Sequence, residues 1–152
     1  MSHTAGTIQI PAHFPKPVPQ LTALATKAAP WLTRLTIADG SGVVNLSALA
    51  ACIGLRLLVL NGPCASDLSP LSCLLKLRRL DMRGCWRMSD VRPLSGLTQL
   101  THLDLHSSEV SDLSPLAGLA LLETLILNFC SWVSELGPLA LRFGPLAPVV
   151  PA

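Results

Sequence analysis

Five stretches of this chain repeat one pattern at a spacing of 22 or 23 residues, and that periodicity restricts its folding more than any other feature. The copies counted from Leu55, Leu77, Leu100 and Leu122 open with leucines spaced as L-x-x-L-x-L, pass through a polar bend, and close on a segment of the type S-D-L-S-P-L. A degraded first copy starts at Leu32. One copy is too short to bury its own apolar side, so the copies must stack and share a core, and at least three are needed for that. Five copies are enough for a solenoid in which each leucine position becomes a column.

Within a copy the local structure follows from the spacing. Leu103 and Leu105 alternate with Asp104 and His106, the period of two of a strand buried on one face. The equivalent pairs are Leu35/Ile37, Leu58/Leu60, Leu80/Met82 and Leu125/Leu127. Stacked in parallel, such strands satisfy each other's backbone groups. The bends (Asn61-Gly62-Pro63, Arg83-Gly84-Cys85, His106-Ser107-Ser108, Asn128-Phe129-Cys130) carry residues that suit a tight turn. Cys85 and Cys130 are expected to point into the coil as inert thiols, since burial among apolar groups raises a thiol pKa. Trp86 and Trp132 fall where two copies carry an extra bend residue; they either form an edge patch or cover the end of the core.

After the bend, Ser69 and Ser114 directly precede Pro70 and Pro115, the order of an N-cap and a first helical residue. Leu71/Leu74, Leu94/Leu97 and Leu116/Leu119 follow at a spacing of three, which predicts a short helical or 3₁₀ turn. The acidic column Asp67, Asp90, Asp112 and Glu135 recurs once per copy outside the strand, so it reads as turn capping, not as paired catalytic carboxylates.

Composition narrows the class. Half of the residues are apolar and 13% are charged, which fits a packed core and argues against disorder. A net charge of +2 and the absence of tyrosine argue against nucleic acid as a partner. The run from Val43 to Leu60 is long and apolar enough to resemble a membrane helix, but its leucines keep the repeat register and Arg56 lies inside it, so no membrane is expected. The start has no basic segment leading into an apolar one. The five cysteines form an odd set without C-x-x-C spacing. A reducing, cytoplasmic location is the expectation from both.

At LTHLDLHSSEVSDLSPLAGL the chain resembles the short-period leucine-rich repeats of bacterial internalins. It is similar also to protozoan leucine-rich-repeat proteins, whose L-x-x-L-x-L-x-G-C-x-x-V-S-D-L-S-P-L consensus is nearly reproduced from Leu77 to Leu97. The resemblance covers roughly residues 31–140. It implies an α/β fold: a right-handed solenoid of about five coils, with a parallel β-sheet on the concave face and short helical or 3₁₀ turns on the convex face. It also implies a role in protein–protein recognition. Three regions are expected: a Pro-rich segment and cap over 1–30, extended or disordered over its first 20 residues; the solenoid over 31–140; and a Pro-rich tail over 141–152.

Outward strand positions collect chemistry in columns. Arg56, Arg78, Arg79, Asp81, Arg83, His102, Asp104 and His106 are the expected partner-binding residues, a basic and polar patch suited to an acidic or phosphorylated protein segment. His102, Asp104 and His106 share a strand face and supply the alternative of a metal-binding or metal-dependent hydrolytic site. No strained Ser or Cys elbow and no Gly-rich phosphate loop occurs, so no catalytic residue, cofactor or resident metal is expected. A third alternative is architectural: self-association end to end through an uncovered last coil.

Overall fold

The leucine columns become the core of a seven-stranded sheet in which neighbours in sequence are neighbours in space. The computed structural model describes residues 3–4, 6–10, 31–37, 45–62 and 66–144. Its strands are β1 (His3–Thr4), β2 (Thr7–Ile10), β3 (Arg34–Ile37), β4 (Leu57–Leu60), β5 (Arg79–Asp81), β6 (His102–Asp104) and β7 (Thr124–Ile126). β2 to β7 run parallel, and β1 folds back antiparallel on β2. The register is the one the repeats predict: Leu35 pairs with Leu58, Leu58 with Leu80, Leu80 with Leu103 and Leu103 with Leu125. The sheet is open and stacks as a solenoid.

Each coil returns through a short 3₁₀ turn: Ser47–Ala51, Ser69–Cys73, Arg92–Leu94, Ser114–Leu116 and Gly137–Leu139. One buried leucine per turn (Leu49, Leu71, Leu94, Leu116, Leu139) faces the sheet's own column across the core. A buried leucine contributes roughly 1.5–3 kcal/mol relative to exposure, so the stacked columns are the main source of stability. Residues 45–60 of the long apolar run divide into a 3₁₀ turn and β4. Among the described residues no helix is long and apolar enough to cross a membrane.

Two expectations need correction, and the N-terminal segment adds a strand to the sheet. The sheet begins before the repeats do, because Thr7–Ile10 of the Pro-rich segment pairs with β3 and buries Ile8 and Ile10. Those isoleucines alternate as a strand should, but without the leucine signature that marks the later copies. The serines before proline do not cap the turns. Asp67 Oδ1 accepts the Ser69 amide at 2.9 Å, and Asp112 Oδ1 accepts the Ser114 amide at 2.9 Å. Asp90 does the same for Arg92, and Asn45 for Ser47. A single 3₁₀ turn has few orphan amides, and a carboxylate two residues earlier reaches the first of them; this supports the capping role of Asp67, Asp90 and Asp112, while Glu135 makes no such bond among the described residues. Hydrogen bonds from the side chains of Ser69, Arg92 and Ser114, and then from the amides of the same residues, hold the Asp67, Asp90 and Asp112 carboxyls respectively below the usual carboxylate range. The second correction concerns Cys85, which is buried but disulfide-bonded rather than a free inert thiol. Cys130 does fit the packing role, buried with its Sγ donating to the Leu105 carbonyl at 3.0 Å.

Candidate functional site

Side chains that alternate with the core leucines project from the solvent face of the sheet, and the pairing register orders them in columns. One column runs Arg34, Leu57, Arg79, His102, Thr124; the next runs Thr36, Val59, Asp81, Asp104, Ile126. Over β4 to β7 this face holds a groove of about 490 Å³ whose walls include Leu57, Val59, Arg79, Asp81, Arg83, His102, Asp104, Thr124 and Ile126. Five of the sequence-predicted site residues therefore meet there: Arg79, Asp81, Arg83, His102 and Asp104.

Their charges are not equivalent. Arg83 Nη2 lies 2.6 Å from Asp81 Oδ2 and its Nε 3.0 Å from Asp81 Oδ1, a two-pronged pair within one strand end. The same Nε is 3.4 Å from Asp104 Oδ2 on the neighbouring coil. Asp81 also accepts the Arg83 amide, and Asp104 accepts the His106 amide at 2.9 Å, so both carboxylates shape the bends as well as binding the arginine. Hydrogen bonding and charge from Asp81, with a smaller contribution from Asp104, hold the guanidinium more firmly protonated than usual. Arg83 is thus a tie across two coils, and its charge is already answered.

Arg79 is exposed, and its side chain meets no ion pair or hydrogen-bond partner among the described residues. Arg56 and Arg78 are unpaired in the same sense but stand elsewhere. Consecutive amides donate to one carbonyl at this point of every coil: Arg56 and Leu57 to Thr33, Arg78 and Arg79 to Arg56, Thr101 and His102 to Arg78. That doubled bond turns the chain into the strand, and Arg56 and Arg78 sit at this corner, outside the groove walls.

His102 and His106 also diverge. Thr101 Oγ1 donates its one proton to the Arg78 carbonyl at 3.0 Å and lies 2.8 Å from His102 Nδ1, so Nδ1–H must be the donor of that second bond. His106 is not among the groove walls; its ring meets Phe129 edge to face, ring centres 5.1 Å apart. With Asp104 occupied by Arg83 and the His106 amide, the strand does not converge on one point. Among the described residues no three His, Cys, Asp or Glu side chains are grouped to hold a metal ion.

The rim beyond the strands carries what sequence reading left open or missed. Trp86 and Trp132 are 48% and 66% exposed, so both present ring surface to solvent. The Arg87 guanidinium lies 4.8 Å from the Trp86 ring centre. Phe129, read in the sequence as an ordinary bend residue, is 78% exposed. Arg142, at the end of the helical turn Ala140–Phe143, donates to the carbonyls of Leu119, Ala120 and Leu122 at 2.6–2.9 Å and closes the last coil. No sequence signal marks that clamp.

Comparison with known proteins agrees with this architecture. The leucine-rich repeats family matches residues 75–118 as two copies. Internalin C2 from Listeria monocytogenes is 25% identical, with a TM-score of 0.63 over 86% of this chain and 54% of that one. A second internalin of the same organism, inlF, is 22% identical, with a TM-score of 0.54 over 74% of this chain and 35% of that one. The chain thus spans about half, or less, of the length of these neighbours. No curated protein sequence matches it. Residues 75–118 thus match leucine-rich repeats, and the chain shares the solenoid fold of these internalins.

Proposed function

We propose that this leucine-rich-repeat chain is a non-catalytic binding module that receives a protein partner in the groove over β4 to β7, with an acidic or phosphorylated group of that partner on Arg79. The observation that supports this most directly is the contrast inside the groove. Asp81, Arg83 and Asp104 answer one another, whereas Arg79 stands exposed and unpaired, among the described residues, beside apolar Leu57. A guanidinium in such a place recognises carboxylate or phosphate through two parallel hydrogen bonds. His102 is paired with Arg79 in register across the strands.

The test compares charge reversals on and off the groove. Arg79→Glu is expected to abolish capture of a partner from native lysate, while Lys76→Glu, an equal charge change outside the groove walls, leaves capture intact. Both should keep the wild-type thermal midpoint, since exposed unpaired positions rarely change stability by more than about 0.5 kcal/mol. Equal capture by Arg79→Glu would contradict the reading. Arg83 is unsuitable for this purpose, because Arg83→Glu would place three carboxylates together and loosen two bends.

One second reading has its own observation. Leu125, Ile126 and Leu127 of the last coil are only partly covered and Leu141 is 97% exposed, which favours self-association through that end. It predicts particle mass rising with concentration in light scattering; a constant mass rejects it.

A further inference from the structure

The residue after the third outward strand position adopts a left-handed backbone in four successive coils: Gly62 (φ 89°), Gly84 (φ 76°), Ser107 (φ 57°) and Phe129 (φ 61°). Glycine suits this place for two reasons. It takes positive φ without a Cβ clash, and a Cβ on Gly84 would lie 3.3 Å from Gly62 Cα. A bulky aromatic residue at positive φ is a rare and strained choice. Phe129 gains no core burial in return, since it is 78% exposed. Its contact is the His106 ring, which fixes it on the rim of coils four and five. Strained, exposed aromatic residues of this kind collect at binding surfaces, where partner contact supplies the compensation that the free protein lacks.

The groove therefore has two unlike ends. Arg79 marks a cationic end at the N-terminal side of β5, with Arg34 two strands away in the same column and likewise unpaired among the described residues. Ile126 is the apolar groove wall on the last coil, and Phe129 and Trp132 stand exposed on the rim beyond the groove walls. Between them lies the neutral tie of Arg83 with Asp81 and Asp104. We infer that the groove takes a single extended protein segment that is acidic at one end and carries an aromatic or large aliphatic anchor at the other, with Phe129 as the anchor's contact. This rests on the groove being the binding surface and specifies its ligand. Two coil spacings of about 4.8 Å and five residue steps of at most about 3.3 Å each separate Arg79 from Phe129. The ligand's acid and anchor should then stand up to about 19 Å apart, about five or six residues of extended chain.

Selection of random dodecapeptides displayed on phage against the full chain tests this. Enriched peptides should pair Asp or Glu with Leu, Phe or Trp at that separation. Selection against Phe129→Gly should lose the apolar preference, and a peptide enriched on the parent should bind this variant at least tenfold more weakly. Phe129→Ser, matching Ser107, should behave alike, and neither thermal midpoint should fall. Selection against Arg79→Glu should lose the acidic preference. An apolar preference that survives both Phe129 variants overturns the inference, as does enrichment without the spacing or no enrichment at all. Acidic peptides that depend on Arg79 but not on Phe129 would leave the groove reading standing and remove the two-ended ligand. Selection unchanged by every variant would remove both.

Discussion

The third and fourth coils differ from the fifth in what each leucine has on its far side. Leu80 and Leu103 lie between identical neighbours and are about 1% exposed; Leu125, one coil later in the same column, is only partly covered. The backbone repeats the contrast. The amides of Gly84 and Ser107 each donate to the carbonyl of the residue before the corresponding position in the next coil, His106 and Asn128. The Phe129 amide finds no acceptor among the described residues. One sequence pattern thus gives a finished interior where it is sandwiched and a reactive edge where it is last. In a solenoid, stability is a sum of nearest-neighbour terms, so position along the array decides what a residue is worth as much as its type does.

The largest test of this contrast is a pair of truncations. Leu103→Ala should cost about 2–5 kcal/mol by urea unfolding, with Leu125→Ala costing less than half as much because its site is already open. Equal losses would mean that the last coil is packed as tightly as the others. Next comes Arg142→Ala, which removes three charge-assisted bonds to Leu119, Ala120 and Leu122. It should lower stability by about 1–2 kcal/mol, with the loss of amide protection in hydrogen exchange concentrated in the fifth coil. Uniform loss of protection would show that the fifth coil is not a separate unit. Phe129→Gly should act in the opposite sense, raising stability by up to about 1 kcal/mol, because it removes a left-handed side chain. A clear drop would show that the ring holds the bend together.

The smallest effect concerns acid. Asp67, Asp90 and Asp112 have carboxyl pKa values below their ordinary value when folded. Their contribution is present above the ordinary carboxylate pKa and is lost as pH falls through the folded values. Urea unfolding between pH 5 and pH 2 should show Asp112→Asn flattening part of this decline. Glu135 makes no such cap among the described residues, so the fifth coil lacks this contribution. A decline unchanged by Asp112→Asn would show that the cap adds nothing to stability.

The sheet was legible because period and alternation fix it: once leucine columns are stacked, Arg79 must lie beside Leu57 and His102. The bends were legible only in part. In S-D-L-S-P-L both the Asp and the Ser could cap, and the geometry of one 3₁₀ turn, not residue preference, selects the Asp. The eight predicted binding residues separated for a similar reason. Outward and corner positions are adjacent in sequence, and only the doubled carbonyl bond shows that Arg56 and Arg78 belong to the corner. Arg83 looked like a ligand-binding cation until its two carboxylates were seen to hold it. Phe129 did carry a signal, an aromatic where two other copies have glycine, and its meaning depends on a backbone angle that composition does not reveal.

The central claim, that the strand face and its C-terminal rim form the recognition surface, is tested most directly by NMR titration of the intact chain with an enriched peptide. The account predicts shifts at Leu57, Val59, Arg79, His102, Ile126 and Phe129, with the 3₁₀ turns carrying Asp67, Asp90 and Asp112 unmoved. Shifts confined to those turns, with the groove silent, would contradict it.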